Sequence, residues 1–141
     1  MPIVSRFLRR TPDERSLLVT AALLMAACRV GLWLLSFQRL TALLSPSRRH
    51  AATAGAARRP DQIAWAVCAV SRYVPKATCL VQALTAKVLL ERAGYSADLR
   101  FGAARNARDE FEAHAWVETA GHIVTGGSDV ERFSPLVFPN R

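Results

Sequence analysis

Only three cysteines, Cys28, Cys68 and Cys79, occur in the 141 residues, so they cannot all pair, and no four-cysteine or Cys-x-x-Cys pattern is present. That excludes a disulfide framework. Nothing reads as a cleavable signal peptide with an Ala-x-Ala end, so the expected compartment is the cytoplasm, with reduced thiols. Lysine is scarcer still: Lys76 and Lys87 stand alone, and the other 17 basic residues are arginines. The net charge is +8 and the pI about 10.7. A basic surface of this kind attracts nucleic acid, anionic lipid or an acidic peptide. The arginines are neither striped along one helix nor interleaved with aromatics, so no nucleic acid is expected as a partner. No short-spaced pair of metal ligands exists; Cys79, His114 and His122 form the only zinc set worth naming, and their spacing does not support it. No metal and no cofactor are therefore expected, and no internal repeat is visible.

What is present is apolar residue in quantity, 51%, enough to fill the core of one compact domain. An N-terminal hydrophobic helical segment is expected over 1–55 and a compact core domain over 56–141. Thr11 can cap a helix that Pro12 opens, with Asp13 and Glu14 in its first turn. The helix is expected to run through Ser16 to about Phe37. Its stretch Leu17 to Cys28 carries no charge, and Arg29 then interrupts an apolar window that a membrane span would need unbroken. Three readings stay open for it: packing in a core or on a partner, peripheral contact with a membrane surface, or a span. Leu40, Leu43 and Leu44 continue the helical spacing until Ser45–His50 stops it.

Residues 51–60 read as a linker or a frayed helix start. Asp61 is expected to cap a helix through Ile63, Val67 and Val70 that ends at Val74-Pro75. Cys79 to Ala93 is helical by spacing, with Gly94 as its cap. Strands are expected at Ala97–Gly102, Glu112–Glu118 and His122–Thr125, the last two joined by a tight turn at Thr119-Ala120-Gly121, with a charged loop over 103–110. Helices first, then a central helix feeding a small antiparallel sheet, make an α+β fold.

Cys79 stands where a helix begins. There the positive end of the helix dipole stabilises a thiolate, and unpaired N–H groups can face a developing oxyanion. Cys28 and Cys68 lie inside apolar helical stretches and read as structural. His114 lies 35 residues beyond Cys79 on a strand. Alternation puts it on one face with Glu112, Trp116 and Glu118, while Ala113, Ala115 and Val117 point the other way and leave room for a helix. It suits a general base opposite the cysteine. His50 and His122 read as solvent-exposed. Trp116 reads as a core residue, and Glu112 and Glu118 as strand charges or partners of nearby arginines. A third group should orient the imidazole. With the turn centred on Ala120-Gly121, Val117 should face Val124 and Ala115 should face Gly126. The orienting side chain should then come from about 124–128, where no carboxylate stands; Asp129 is a few residues late.

Pro75-Lys-Ala-Thr-Cys79-Leu-Val-Gln-Ala-Leu, Leu89-Leu-Glu-Arg-Ala-Gly94-Tyr, Leu99-Arg-Phe-Gly102, Phe111-Glu-Ala-His114-Ala-Trp116-Val-Glu118 and Phe133-Ser-Pro135-Leu, in that order, resemble the leader peptidase of lasso-peptide biosynthesis. This is the peptidase half of the microcin-J25-type maturation protein, of the transglutaminase-like superfamily, and the likeness covers about 60–136. The resemblance implies a transglutaminase/papain-like core and a cysteine protease that removes the leader from a ribosomally made precursor peptide. An ATP-dependent macrolactam cyclase then joins the freed amine to an Asp or Glu side chain. It implies Cys79 as nucleophile and His114 as base. The family's aspartate, often twelve residues after the histidine, corresponds here to Gly126, so Asp129, Ser128 or a backbone carbonyl is left to orient His114, or the pair works as a dyad. Because no winged-helix-like recognition module is visible, a separate leader-recognition protein is implied. Two other readings fit the same residues: an acyltransferase using the same pair, and a catalytically silent scaffold for precursor and cyclase.

Overall fold

A computed structural model describes residues 3–44, 58–74, 78–126 and 128–135. The N-terminal helices are α1 (Ile3–Leu8), α2 (Pro12–Leu34) and α3 (Phe37–Leu44). Thr11 caps α2 as the sequence suggests: its hydroxyl accepts from the Glu14 N–H at 3.3 Å, and the Glu14 carboxylate accepts from the Thr11 N–H at 3.3 Å. The helix expected to reach about Phe37 ends at Leu34, and the spacing that continues through Leu44 belongs to a separate helix. Leu35 adopts an extended conformation, and the chain turns so that Leu40 is buried and Phe37 meets Phe101 edge-on at 5.9 Å. Tertiary packing overrides the local helical spacing there.

Next come α4 (Pro60–Ser71) and α5 (Cys79–Arg92). The cap of α4 is Arg59, not Asp61. Pro60 occupies the first helical position, the Gln62 side chain accepts from the Arg59 N–H, and Asp61 sits in the first turn within 3.3 Å of the Arg59 guanidinium. The helix stops at Ser71, three residues before the expected end. His50, the boundary between 1–55 and 56–141, and the 51–60 linker reading as far as residue 57 lie outside the described residues; at the linker's end, Arg59 and Pro60 already cap and open α4.

Four antiparallel strands follow, β1 (Asp98–Arg105), β2 (Phe111–Thr119), β3 (His122–Thr125) and the short β4 (Ser134–Pro135), in the order β3-β2-β1-β4. β1 is longer than expected because Ala103, Ala104 and Arg105 pair with Ala113, Glu112 and Phe111, which leaves a loop of only 106–110. The result is the expected α+β arrangement, helices with one small antiparallel sheet.

One core joins the helices to one face of the sheet. Leu17, Ala21, Met25 and Cys28 of α2, Ile63 and Val67 of α4, and Leu84, Val88 and Leu90 of α5 pack with Ala115 and Val117 of β2. Each large side chain buried this way contributes about 1.5–3 kcal/mol of transfer free energy. Lys87 ties α5 to the start of β1 by bonding Glu91 and donating to the Ala97 carbonyl at 2.9 Å. The Thr119 hydroxyl donates to the Ser96 carbonyl at 2.7 Å, closing the other end of β2 onto the same segment.

Candidate active site

Cys79 is the first residue of α5. Thr78 caps the helix, its hydroxyl accepting from the Val81 N–H at 3.4 Å while the Gln82 N–H donates to the Thr78 carbonyl at 3.0 Å. The N–H groups of Cys79 and Leu80 therefore have no partner among the described residues, which is the arrangement an oxyanion needs. The thiol is free and half-buried at the margin of the helix-side core.

Of the other two cysteines, Cys28 is wholly buried, and desolvation pushes its thiol above the ordinary range, partly offset by a hydrogen bond with Thr85. It is held as a neutral core group. Cys68 is different from its expected setting: it is exposed on the outer side of α4.

His114 lies on the face of β2 that turns away from α5. The small Ala115 and the Val117 beside it take the helix contact, whereas the imidazole stacks on Phe133 at 4.9 Å and lies 6.2 Å from the Trp116 ring. Trp116 is buried with Val130 and Phe133, and its Nε1–H donates to the Glu118 carboxylate at 3.0 Å. Both flanking carboxylates meet arginines, Glu112 with Arg132 at 3.1 Å and Glu118 with Arg100 at 3.6 Å. His122 is exposed at the hairpin.

The group that holds the imidazole is the backbone carbonyl of Gly126, 2.8 Å from His114 Nε2. A carbonyl oxygen can only accept, so Nε2 carries the proton in this bond and Nδ1 of the neutral ring keeps the lone pair. The nitrogen available to take a proton is thereby fixed without a carboxylate.

A β-bulge produces this contact. The turn is Ala120-Gly121, both with positive φ (49° and 78°), as in the favoured two-residue hairpin loops. Thr119 pairs with His122 and Glu118 with Ile123, but Val117 pairs with Thr125 and not with Val124. The extra residue advances β3 by one position, so Gly126 comes level with Trp116 in place of Ala115. A side chain there is excluded: φ is +123°, and a Cβ would stand 2.5 Å from Trp116 Cβ and 3.3 Å from His114 Nε2. Glycine is required at the position, and its carbonyl occupies the orienting role.

Phe133 and Gly102 were invisible as site residues in the sequence. β4 pairs Pro135 with Gly102 and Ser134 with Ala103, which seats Phe133 under the imidazole. A Cβ on Gly102 would fall 2.7 Å from Phe133 Cβ and 2.8 Å from the Trp116 ring, so only glycine leaves room for the stack. The Gly102 and Phe133 motifs were the available signal, without a role attached.

α5 packs against β2, so Cys79 and His114 stand on neighbouring elements. No hydrogen bond joins their side chains among the described residues. Asp129 belongs to a 3₁₀ turn over Ser128–Arg132, and its side chain, like that of Ser128, lies outside the described residues. No group of three or more His, Cys, Asp or Glu able to hold a metal ion occurs among the described residues.

Comparison with known families agrees with this architecture. The family description Transglutaminase-like superfamily matches residues 22–138, most of the chain. No curated protein and no solved structure matches the chain. The chain belongs to the transglutaminase-like superfamily, whose members generally act through Cys-His-Asp and include cysteine proteases and acyltransferases.

Proposed function

We propose that this transglutaminase-like chain is a cysteine peptidase that cuts the leader from a ribosomally made lasso-peptide precursor before a separate ATP-dependent cyclase closes the macrolactam. A separate protein recognises the leader and presents the precursor. The observation that carries the catalytic part is the His114 Nε2 to Gly126 carbonyl bond, which leaves Nδ1 as the base on a strand packed beside the Cys79 helix. The peptide-maturation part rests on the Cys79, His114-Ala-Trp116 and Phe133-Ser-Pro135 motifs in their order.

In this reading His114 Nδ1 takes the Cys79 proton, and Sγ adds to the carbonyl carbon at the leader–core junction. The N–H groups of Cys79 and Leu80 receive the oxyanion. Protonated His114 then gives its proton to the departing amine as the C–N bond breaks, leaving a thioester on Cys79. Water, activated by the same nitrogen, hydrolyses it to the leader acid and free thiol. The step requires Sγ to come within about 3 Å of Nδ1, a movement around the sheet margin, since the thiol borders the helix-side core and the imidazole lies on the face with Phe133. Gly126 orients the ring with a dipole, where the superfamily's aspartate would orient it and also balance the imidazolium charge.

The test is mass spectrometry of a candidate precursor incubated with the chain and its recognition partner. Hydrolysis gives a leader acid and a core peptide with a free amine. A cross-linked product with no free leader would assign an acyltransferase. Full maturation by Cys79→Ala would assign a scaffold.

A further inference from the structure

The outward side of α2 is apolar along its length. Val19, Leu23, Ala26, Val30 and Trp33 follow one another at intervals of three and four, and Leu34 lies four beyond Val30, so they form one stripe, about 22 Å long at the helical rise. Leu23 is 68% exposed, Trp33 85% and Leu34 66%, whereas Leu17, Ala21, Met25 and Cys28 on the opposite side are buried against α4 and α5. Val4 and Leu8 of α1 and Leu43 of α3 are also exposed, so apolar surface is present on all three N-terminal helices. At its N-terminal end α2 borders a shallow groove lined by Phe7, Pro12, Arg15, Ser16, Val19 and Thr20.

Charge decides what covers this face. Residues 1–44 hold six arginines against Asp13 and Glu14 alone. Of these, Arg6, Arg9, Arg15, Arg29 and Arg39 make no ion pair among the described residues. A second copy would bring another +8 against the same surface. A sheet of anionic headgroups supplies the complementary charge, and a mostly exposed tryptophan at one end of an apolar stripe is suited to the membrane–water boundary. Pro12–Leu34 is long and apolar enough to cross a bilayer, but its inner side is part of the core that holds α4 and α5. A span would strip that core, so the helix lies on the surface. We infer that α2, flanked by α1 and α3, docks this chain peripherally on an anionic membrane, with Leu23, Val30 and Trp33 entering the acyl boundary and the unpaired arginines meeting phosphate.

The test is flotation of the full chain with vesicles of phosphatidylcholine alone or mixed with phosphatidylglycerol, comparing wild type with Leu23→Glu and Trp33→Ala. The expected result is flotation with the anionic vesicles, about tenfold weaker binding to the neutral ones, loss of flotation in Leu23→Glu, and release of bound wild type by alkaline carbonate. Melting curves establish that Leu23→Glu is folded; if it is not, Trp33→Ala decides, with weakened flotation expected. Absence of flotation, flotation of a folded Leu23→Glu equal to wild type, resistance to carbonate, or a concentration-dependent dimer that shields Trp33 would each overturn the inference.

Discussion

The two faces of β2 are built from alternate residues of one nine-residue strand, yet they do different work. Ala115 and Val117 face the helices inside a large, mostly aliphatic core. His114 and Trp116 face a small cluster of Val130 and Phe133, ringed by Glu112–Arg132 and Glu118–Arg100. The core face gives the strand stability, and that rigidity lets the other face hold an imidazole by one hydrogen bond and one ring stack.

Changes at Cys79 and at His114 should cost activity and leave stability almost intact. Cys79→Ala and His114→Ala should each lower leader release by more than about 10³-fold in single-turnover assays, with melting temperatures within a few degrees of wild type. Gly126→Ala crosses the comparison, since it adds a Cβ against Trp116 at a φ that suits glycine. It should lose about 1–3 kcal/mol of stability and also reduce turnover at substrate saturation, as the imidazole is pushed from its carbonyl. Gly126→Asp should be no better tolerated, because it adds a Cβ at the same place.

Changes on the core face should do the reverse. Leu84→Ala should cost about 2–5 kcal/mol in denaturant unfolding, while the turnover of the folded fraction stays near wild type. The smallest effect expected is a pH dependence from Cys28. Burial raises its thiol above the ordinary value, so the folded state favours the neutral form and the unfolded chain ionises first. The stability this contributes is complete below the unfolded value and is lost as pH rises through the folded value. Relative to Cys28→Ala, wild type should therefore lose stability above about pH 9 and not below it.

The Thr11-Pro12 cap, the α5 spacing and the Ala120-Gly121 turn were legible because each is a local signal, fixed by residues within a few positions of one another. The break at Leu35 and the true cap at Arg59 were not, since packing decided the first and a Pro60 start decided the second. The site shows the same division. His114's face followed from alternation alone. Its partner did not, because a bulge shifts β3 by one residue and because the orienting oxygen belongs to the backbone, which every residue carries. A search for a carboxylate at Gly126 looks for the wrong atom type. Phe133 reaches His114 only through the β1–β4 pairing, a contact nineteen positions away along the chain.

The most direct measurement is the rate of iodoacetamide alkylation at Cys79 relative to Cys68 at neutral pH, read by peptide mass mapping in wild type and His114→Ala. Cys68 is exposed and Cys79 half-buried, so accessibility alone favours Cys68. A helix-start thiol with His114 as its base should react faster than Cys68 despite that, and the advantage should fall about tenfold or more in His114→Ala. Equal or slower labelling of Cys79, or labelling indifferent to His114, would contradict the catalytic pair.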